Sequence, residues 1–506
     1  MSLSLLFAGG NEADKYLGSN RQERLKLFNE YVTAIKSTQV VCHKGLKNLG
    51  TTWEKELARS RQRFLNARTF KDTYCALVSL QRSYHDPHSR LVGIGYNSEY
   101  GLRLPFILRA EFNNNNWEYV VTNSSLPDIR SGYVLKSMNG KTTSQLEYEF
   151  LEWFNDHSKE QLIMDLADNL TGGFACFRDP KVGENVSLVF FDPEANKEHT
   201  VNTKWQKSSD VKLTEDNEYS GFKKEFSGIN YDVYATDERG TKIVHYYSFY
   251  YGSADINKLQ GLSYKVEKYD TTNYSENAIM IRDEEELVGY LKNKGTKNIL
   301  IDVRDNHGGD LPRHTLLPNL AKKDFFVDTA QIYYMPVFKG KPGRLRSIED
   351  IDFKPKAIEF FEKNPHATRS PVYPFFCQTK ACDLSEIKYK TLNPNNDLNI
   401  VVVSGPECSS SCDDFVRRIK DNNIGKVVGL SGDASGSPTR YTYALSLKDG
   451  TEFSIKMTIA TFLSPDGKKD LEGDTVKVDI PIYPSKDNRG NYIRSVLKFL
   501  RTNSIF

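Results

Sequence analysis

The sequence lacks any apolar run approaching the roughly 20 residues that cross a bilayer as a helix, so no membrane span is expected. It lacks a charge excess: 68 Lys and Arg stand against 66 Asp and Glu, a net charge of +2. Nothing in that balance recruits nucleic acid or an anionic membrane. It lacks CxxC pairs and the Cys/His spacings of a zinc site, so no metal is expected. It lacks repeats, and the tetra-Asn at 113–116 is its one low-complexity stretch. What remains is an ordinary globular composition, 39% apolar and 26% charged, rich in aromatics at 12%. At 506 residues the chain is too long for one core and reads as roughly two to four domains.

The N-terminus, MSLSLLFAGGNEADKYL, has a short apolar stretch and small residues at Ala8, Gly9 and Gly10 but no basic region before them, and reads as a trimmed or absent signal. Sequons at Asn123, Asn169, Asn185 and Asn273 carry little weight in so Asn-rich a chain. A secreted or extracellular location is favoured over a cytoplasmic one. Of seven cysteines, Cys377 with Cys382 and Cys408 with Cys412 form close pairs that could bridge in an oxidising compartment. Buried reduced thiols are the equal alternative, and for Cys408 and Cys412 they are the expectation, because Cys412 falls inside the first turn of a helix. The odd count leaves a free thiol or an intermolecular bond.

Along the chain, residues 11–84 carry apolar residues at helical spacing, as in LKLFNEYVTAIK and FKDTYCALVSLQRSY. From about 100 to 205 short strands alternate with turns. WEYVV, GYVLKSMNGK with its Asn-Gly turn, and VSLVFFD are strands, and LEYEFLEWF is a helical insert. After about 206 the pattern is mixed and then becomes α/β. DEEELVGYLKNKG is a helix closed by Gly295, NILIDV and NIVVVSG are strands buried on both faces, and DDFVRRIKDNN is a helix with Phe415, Val416 and Ile419 on one side. KVVGL is a further buried strand, YTYALSL and TEFSIKMTIATF form a hairpin, and IRSVLKFLR is a closing helix. The segment 322–397 reads as long and irregular, a functional flap or a mobile insertion.

In α/β sheets, function gathers at the carboxyl ends of strands. Two such ends stand out: VRDNHGGDL and SGPECSSSCDDF. A serine at a strand-to-helix turn is exposed, and the free N–H groups of the helix's first turn can stabilise an oxyanion. Taken alone, a serine there more often caps the helix. Gly308 and Gly309 would let backbone approach a substrate, although a tight turn explains them equally. A serine nucleophile needs a base. Among nine histidines, His85 and His88 in the HDPH turn are the leading loop candidates and His307, beside the glycines, their rival.

These motifs resemble those of the C-terminal processing, or tail-specific, serine peptidases. DVRDNHGG (302–309) fits D-x-R-x-N-x-G-G after an apolar strand, and VVVSGPECSSSCDDFVRRIKDNNIGKVVG fits the nucleophile strand, turn and helix. SPDGKKDLEGDTVKVDI fits the closing pattern, DPHSRL the D-x-H, and GYVLKSMNG (132–140) a PDZ-like G-x-V-x-x-x-x-N-G. Many relatives pair the serine with a lysine about 25 residues later, but no lysine lies between Lys426 and Lys448. The sequence is therefore similar to the branch typified by the chlamydial protease-like activity factor and fungal relatives, which uses serine, histidine and glutamate.

The resemblance implies an α/β fold: an N-terminal helical region (1–84), a PDZ-like module with the catalytic-histidine loop at its start (85–205), and a crotonase-like peptidase core (206–506). It implies a Ser410, His88 and Glu472 triad, with an oxyanion hole from the Ser411 N–H and that of Gly308 or Gly309. EGDTV shifts the family's glycine to Gly473, which departs from the pattern around Glu472. Ser410 is preferred over Ser411, because the latter needs a one-residue deletion that rotates the helix by about 100°. The implied partner is a polypeptide substrate, with a homodimer and internal cleavage as in relatives, and no cofactor is implied. An inactive peptide-binding scaffold and a serine esterase or amidase are the alternatives.

Overall fold

The computed structural model describes residues 17, 20–38, 51–82, 90–92, 101–151, 153, 158–172, 176–178, 180–213, 217–238, 240–251, 276–333, 352–432, 440–446, 448, 452–471 and 474–506. The apolar runs NILIDV and NIVVVSG form the strands Asn298–Asp302 and Asn399–Ser404, paired in parallel from Asn298 opposite Asn399 to Asp302 opposite Val403. They lie at the centre of a seven-stranded sheet. Its order is Lys223–Ser227, Tyr231–Ala235, Thr241–Tyr246, Asn298–Asp302, Asn399–Ser404, Lys426–Gly429 and Ile480–Pro481. The first three strands run antiparallel, and from Thr241–Tyr246 onward every pairing is parallel.

The continuous apolar character of the central strands follows from burial on both faces. Ile299, Ile301 and Val402 pack on one face against Phe415, Val416 and Ile419 of the helix Ser411–Asp421. Leu300, Val401 and Val403 pack on the other against Ile493, Val496 and Leu497 of the helix Tyr492–Thr502. Each fully buried aliphatic side chain contributes about 1.5–3 kcal/mol.

The β-rich module is a six-stranded antiparallel sheet running from Phe106 to Lys204, with the helices Thr143–Leu151 and Lys159–Thr171 packed on its apolar face. The tetra-Asn stretch is its first hairpin tip: Asn113 pairs with Asn116, and Asn114 and Asn115 take φ of 51° and 65°. A two-residue turn of this hand needs positive φ at both positions, which asparagine tolerates. Asn139-Gly140 makes the same turn. Three helices, Arg21–Thr38, Trp53–Asn66 and Phe70–Arg82, build a separate small core around Phe28, Tyr31 and Phe64. The expected hairpin forms, with Arg440–Ser446 antiparallel to Glu452–Thr458.

Two expectations change. The described part of 322–397 is packed: Thr329–Ile332 pairs with Tyr373–Pro374 and Ala460–Leu463, and the helix Lys354–Lys363 shares a core with Phe375 and Phe462. Its described strands are two to four residues long and pair with partners distant in sequence, and FKGKPGRLR lies outside the described residues. Cys408 and Cys412, expected as thiols, are joined in a disulfide with Cα atoms 5.2 Å apart. The turn between them folds the chain back, bringing the pair within bonding range. Cys377–Cys382 is also bridged, and Cys75–Cys176 ties the helix Phe70–Arg82 to the module. Cys42 lies outside the described residues.

Candidate active site

The strand Asn399–Ser404 ends at the carboxyl edge of the sheet, and the chain turns at Ser410 into the helix Ser411–Asp421. Ser410 takes φ 55° and ψ −125°. A non-glycine residue held there costs on the order of 1–3 kcal/mol and persists only where its surroundings enforce it. Here the Cys412 N–H donates to the Ser409 carbonyl at 3.0 Å and the Asp414 N–H to the Ser410 carbonyl at 3.1 Å, while the Cys408–Cys412 bridge spans the turn. Ser410 occupies the N-cap position, yet its side chain makes no capping bond to the helix. The capping explanation for this serine therefore does not hold.

The flanking serines are engaged elsewhere. The Ser409 hydroxyl donates to the His307 carbonyl at 3.4 Å, and the Ser411 hydroxyl to the Gly309 carbonyl at 2.5 Å. The glycine loop packs directly beneath the elbow. A Cβ on Gly308 (φ 90°) would lie 2.7 Å from the Ser409 oxygen and 2.9 Å from the Ser411 nitrogen. One on Gly309 (φ 132°) would lie 2.2 Å from the backbone of Phe249. Of the four residues expected to form the elbow and oxyanion hole, all four are brought together.

Their N–H groups differ. The Gly308 N–H donates to Asn306 Oδ1 at 2.8 Å, and Asn306 Nδ2 donates to the Tyr246 carbonyl at 2.9 Å. Gly308 is thus committed to a fully buried asparagine. The Gly309 and Ser411 N–H groups have no acceptor among the described residues. Asn306, which fixes the loop, is the asparagine of the DVRDNHGG motif.

His88 and Glu472 lie outside the described residues. Described segments near each in sequence are anchored. Arg90–Val92 pairs antiparallel with Ser454–Lys456. Arg417 of the elbow helix donates to the Asp474 carbonyl at 2.9 Å, and Asp413 accepts the Val476 N–H at 3.4 Å. His307, the rival base, is exposed, and its ring makes no hydrogen bond among the described residues.

The elbow helix is buried on its polar side too. The Arg418 guanidinium, 1% exposed, is bonded to Asp328 of the 322–397 segment at 2.6 Å and also to Asp414. Burial pushes the Asp414 carboxyl up, with Arg418 pulling against it.

A strained serine between a buried parallel strand and a helix, pressed against a glycine loop, has the geometry of a nucleophile elbow. Residues 274–482 match the model of Peptidase family S41, which supports a serine-type peptidase. The structure is similar to that of mature CPAF, with a TM-score of 0.64 at 13% identity over 95% of this chain and 97% of the other. The complex of mature CPAF with lactacystin gives 0.63 at 13% identity over 94% and 97%. At that identity the likeness is one of fold. No curated protein matches the sequence.

Proposed function

We propose that the chain is a serine endopeptidase that cleaves polypeptides through an acyl-enzyme, with a Ser410, His88 and Glu472 triad. The observation that carries this is the elbow at Ser410: strained backbone, a hydroxyl not spent on capping, and neighbouring serines held by other partners. Ser410 attacks the scissile carbonyl, His88 takes its proton and passes it to the leaving amine, and Glu472 orients the imidazole. The Ser411 and Gly309 N–H groups receive the oxyanion, each worth roughly 3–4 kcal/mol in such sites. Anchoring of Asp474 and Val476 on the elbow helix supports the assignment of Glu472, two residues earlier. The β-rich module is PDZ-like and the core crotonase-like. Three disulfides among the described residues support an oxidising, extracellular setting.

Labelling with a fluorophosphonate probe tests the reading. Wild-type protein is labelled, and both Ser410→Ala and His88→Ala are not. Failure of natively folded, processed wild type to label would overturn it, as would persistent labelling of Ser410→Ala. Digestion of a peptide library separates a peptidase from an esterase.

A further inference from the structure

Four Asn-x-Ser/Thr triplets stand in the chain, and such a triplet accepts N-linked sugar where it is exposed on a secreted protein. The folded structure ranks them. Sugar is attached to the nascent chain, and only modified chains that still reach the native packing escape degradation. Asn273 lies outside the described residues, and the other three differ in what their side chains already do.

Asn169 sits in the helix Lys159–Thr171, where its Nδ2 donates to the Asp165 carbonyl at 2.7 Å. Thr171, the hydroxyl residue of that triplet, is 1% exposed and donates to the Asp168 carbonyl at 3.2 Å. Positions i and i+2 of a helix point about 200° apart, so the two side chains lie on different faces. Asn123, in the strand Asn116–Ser124, is half-buried and has a partner of its own, and the Ser125 hydroxyl donates to the Pro105 carbonyl at 3.3 Å. A sugar on either asparagine displaces native contacts.

Asn185 opens the strand Asn185–Asp192, whose residues alternate in burial. Asn185 is exposed, Val186 is 1% exposed, and Ser187 lies on the same side as Asn185, so the amide and the hydroxyl of this triplet share one face. Neither side chain has a partner among the described residues. The turn before the strand is held by the Glu184 N–H on the Lys181 carbonyl at 3.0 Å and the Gly183 N–H on the Trp205 carbonyl at 2.8 Å. Val182, within that turn, is 55% exposed. Lys204, opposite Asn185, ends the strand Lys197–Lys204, which is an edge of the six-stranded sheet. A hydrophilic chain on Asn185 therefore displaces no packed side chain. It covers an exposed valine and the end of an open edge, both prone to unwanted association.

We propose that Asn185 carries an N-linked oligosaccharide, and that Asn123 and Asn169 of the folded protein do not. The donor is a lipid-diphosphate-linked oligosaccharide. The Asn185 Nδ2 bonds to the anomeric carbon of its first sugar, the bond from that carbon to the diphosphate oxygen breaks, the lipid diphosphate leaves, and one amide proton passes to a base of the transferase. Disulfides such as the three found here form in the endoplasmic reticulum, the compartment of that donor. The site lies on the β-rich module and does not depend on the peptidase reading.

The full chain, sent through the secretory pathway of a eukaryotic host with a signal peptide, is treated with peptide N-glycosidase in heavy-oxygen water and its peptides are weighed by mass spectrometry. Release of the sugar leaves aspartate carrying heavy oxygen in place of Asn185, while Asn123 and Asn169 are recovered unchanged. Ser187→Ala keeps Asn185 but removes the hydroxyl that the transferase requires, and it loses the label at position 185 together with one glycan of apparent mass on a gel. Asn185→Gln gives the same gel shift. The wild-type measurement decides without either variant: an Asn185 recovered unchanged, in secreted or in retained protein, overturns the proposal. A heavy-oxygen label at Asn123 or Asn169 of the folded protein, or one at Asn185 that survives Ser187→Ala, overturns it as well.

Discussion

The Ser411 hydroxyl donates to the Gly309 carbonyl at 2.5 Å, across 102 residues of sequence. This bond joins the two strand-end loops and turns the Ser411 side chain toward the glycine loop, leaving Ser410 at the strained position. Ser411→Ala removes the bond but keeps the backbone N–H. It is expected to cost about 1 kcal/mol of stability and to slow labelling by less than about tenfold, whereas Ser410→Ala abolishes labelling. The opposite pattern, with labelling lost only in Ser411→Ala, moves the nucleophile by one residue.

Gly308→Ala places a Cβ 2.7 Å from the Ser409 oxygen on a backbone with φ 90°. The elbow must shift, and a displacement of about 1 Å at a reacting group costs on the order of 10²-fold in rate. Gly140→Ala is the control: φ is 77° there too, but nothing lies within 4 Å. It lowers the melting temperature while labelling rates stay at the wild-type value. Equal labelling rates for the two variants would show that the close approach is immaterial.

The Cys408–Cys412 bridge closes a loop of separation 4, and Cys75–Cys176 one of separation 101. Loop-closure entropy assigns about 2 kcal/mol to the first and about 4–5 kcal/mol to the second. The Cys408→Ala/Cys412→Ala protein therefore loses less stability than Cys75→Ala/Cys176→Ala in denaturant melts. It nonetheless loses more labelling activity, because it frees the turn at Ser410. Unchanged labelling in the elbow double variant would assign the bridge to stability alone.

Glu284 is fully buried, and burial, with Asp283 adding to it, pushes its carboxyl from 4.5 to about 8 despite the Leu316 N–H. The folded state thus holds a proton that the unfolded chain releases at lower pH. The associated stability is complete below about 4.5 and declines as pH rises toward about 8. Glu284→Gln retains an acceptor for the Leu316 N–H, found at 2.9 Å. Its advantage over wild type is near zero at about pH 4 and grows to several kcal/mol at about pH 8. Chemical denaturation across that range measures it, and a constant difference would exclude the linkage.

Much of the site was legible because it is local. An apolar run followed by a Ser-rich turn and an amphipathic helix can fold in few ways, so the strand Asn399–Ser404, the turn and the helix Ser411–Asp421 follow from short stretches, whereas the choice of Ser410 among three serines came from the family resemblance. The antiparallel strands Lys223–Ser227, Tyr231–Ala235 and Thr241–Tyr246 were not legible, because they carry charged and aromatic residues without clean alternation. The packing of the described part of 322–397 was not legible for a related reason: its strands are two to four residues long and take their order from partners such as Ala460–Leu463.

The sequence by itself determined the buried parallel strands, the turn that follows each, and the serine at the helix start, since hydrophobic runs and turn residues act over a few positions. The tertiary structure alone decided which groups are free to act there. It set Gly308 against Asn306, Ser411 against Gly309 and Cys408 against Cys412. Each of these depends on how close the folded chain brings particular atoms and on the direction in which they point, and neither is encoded in any one stretch of residues.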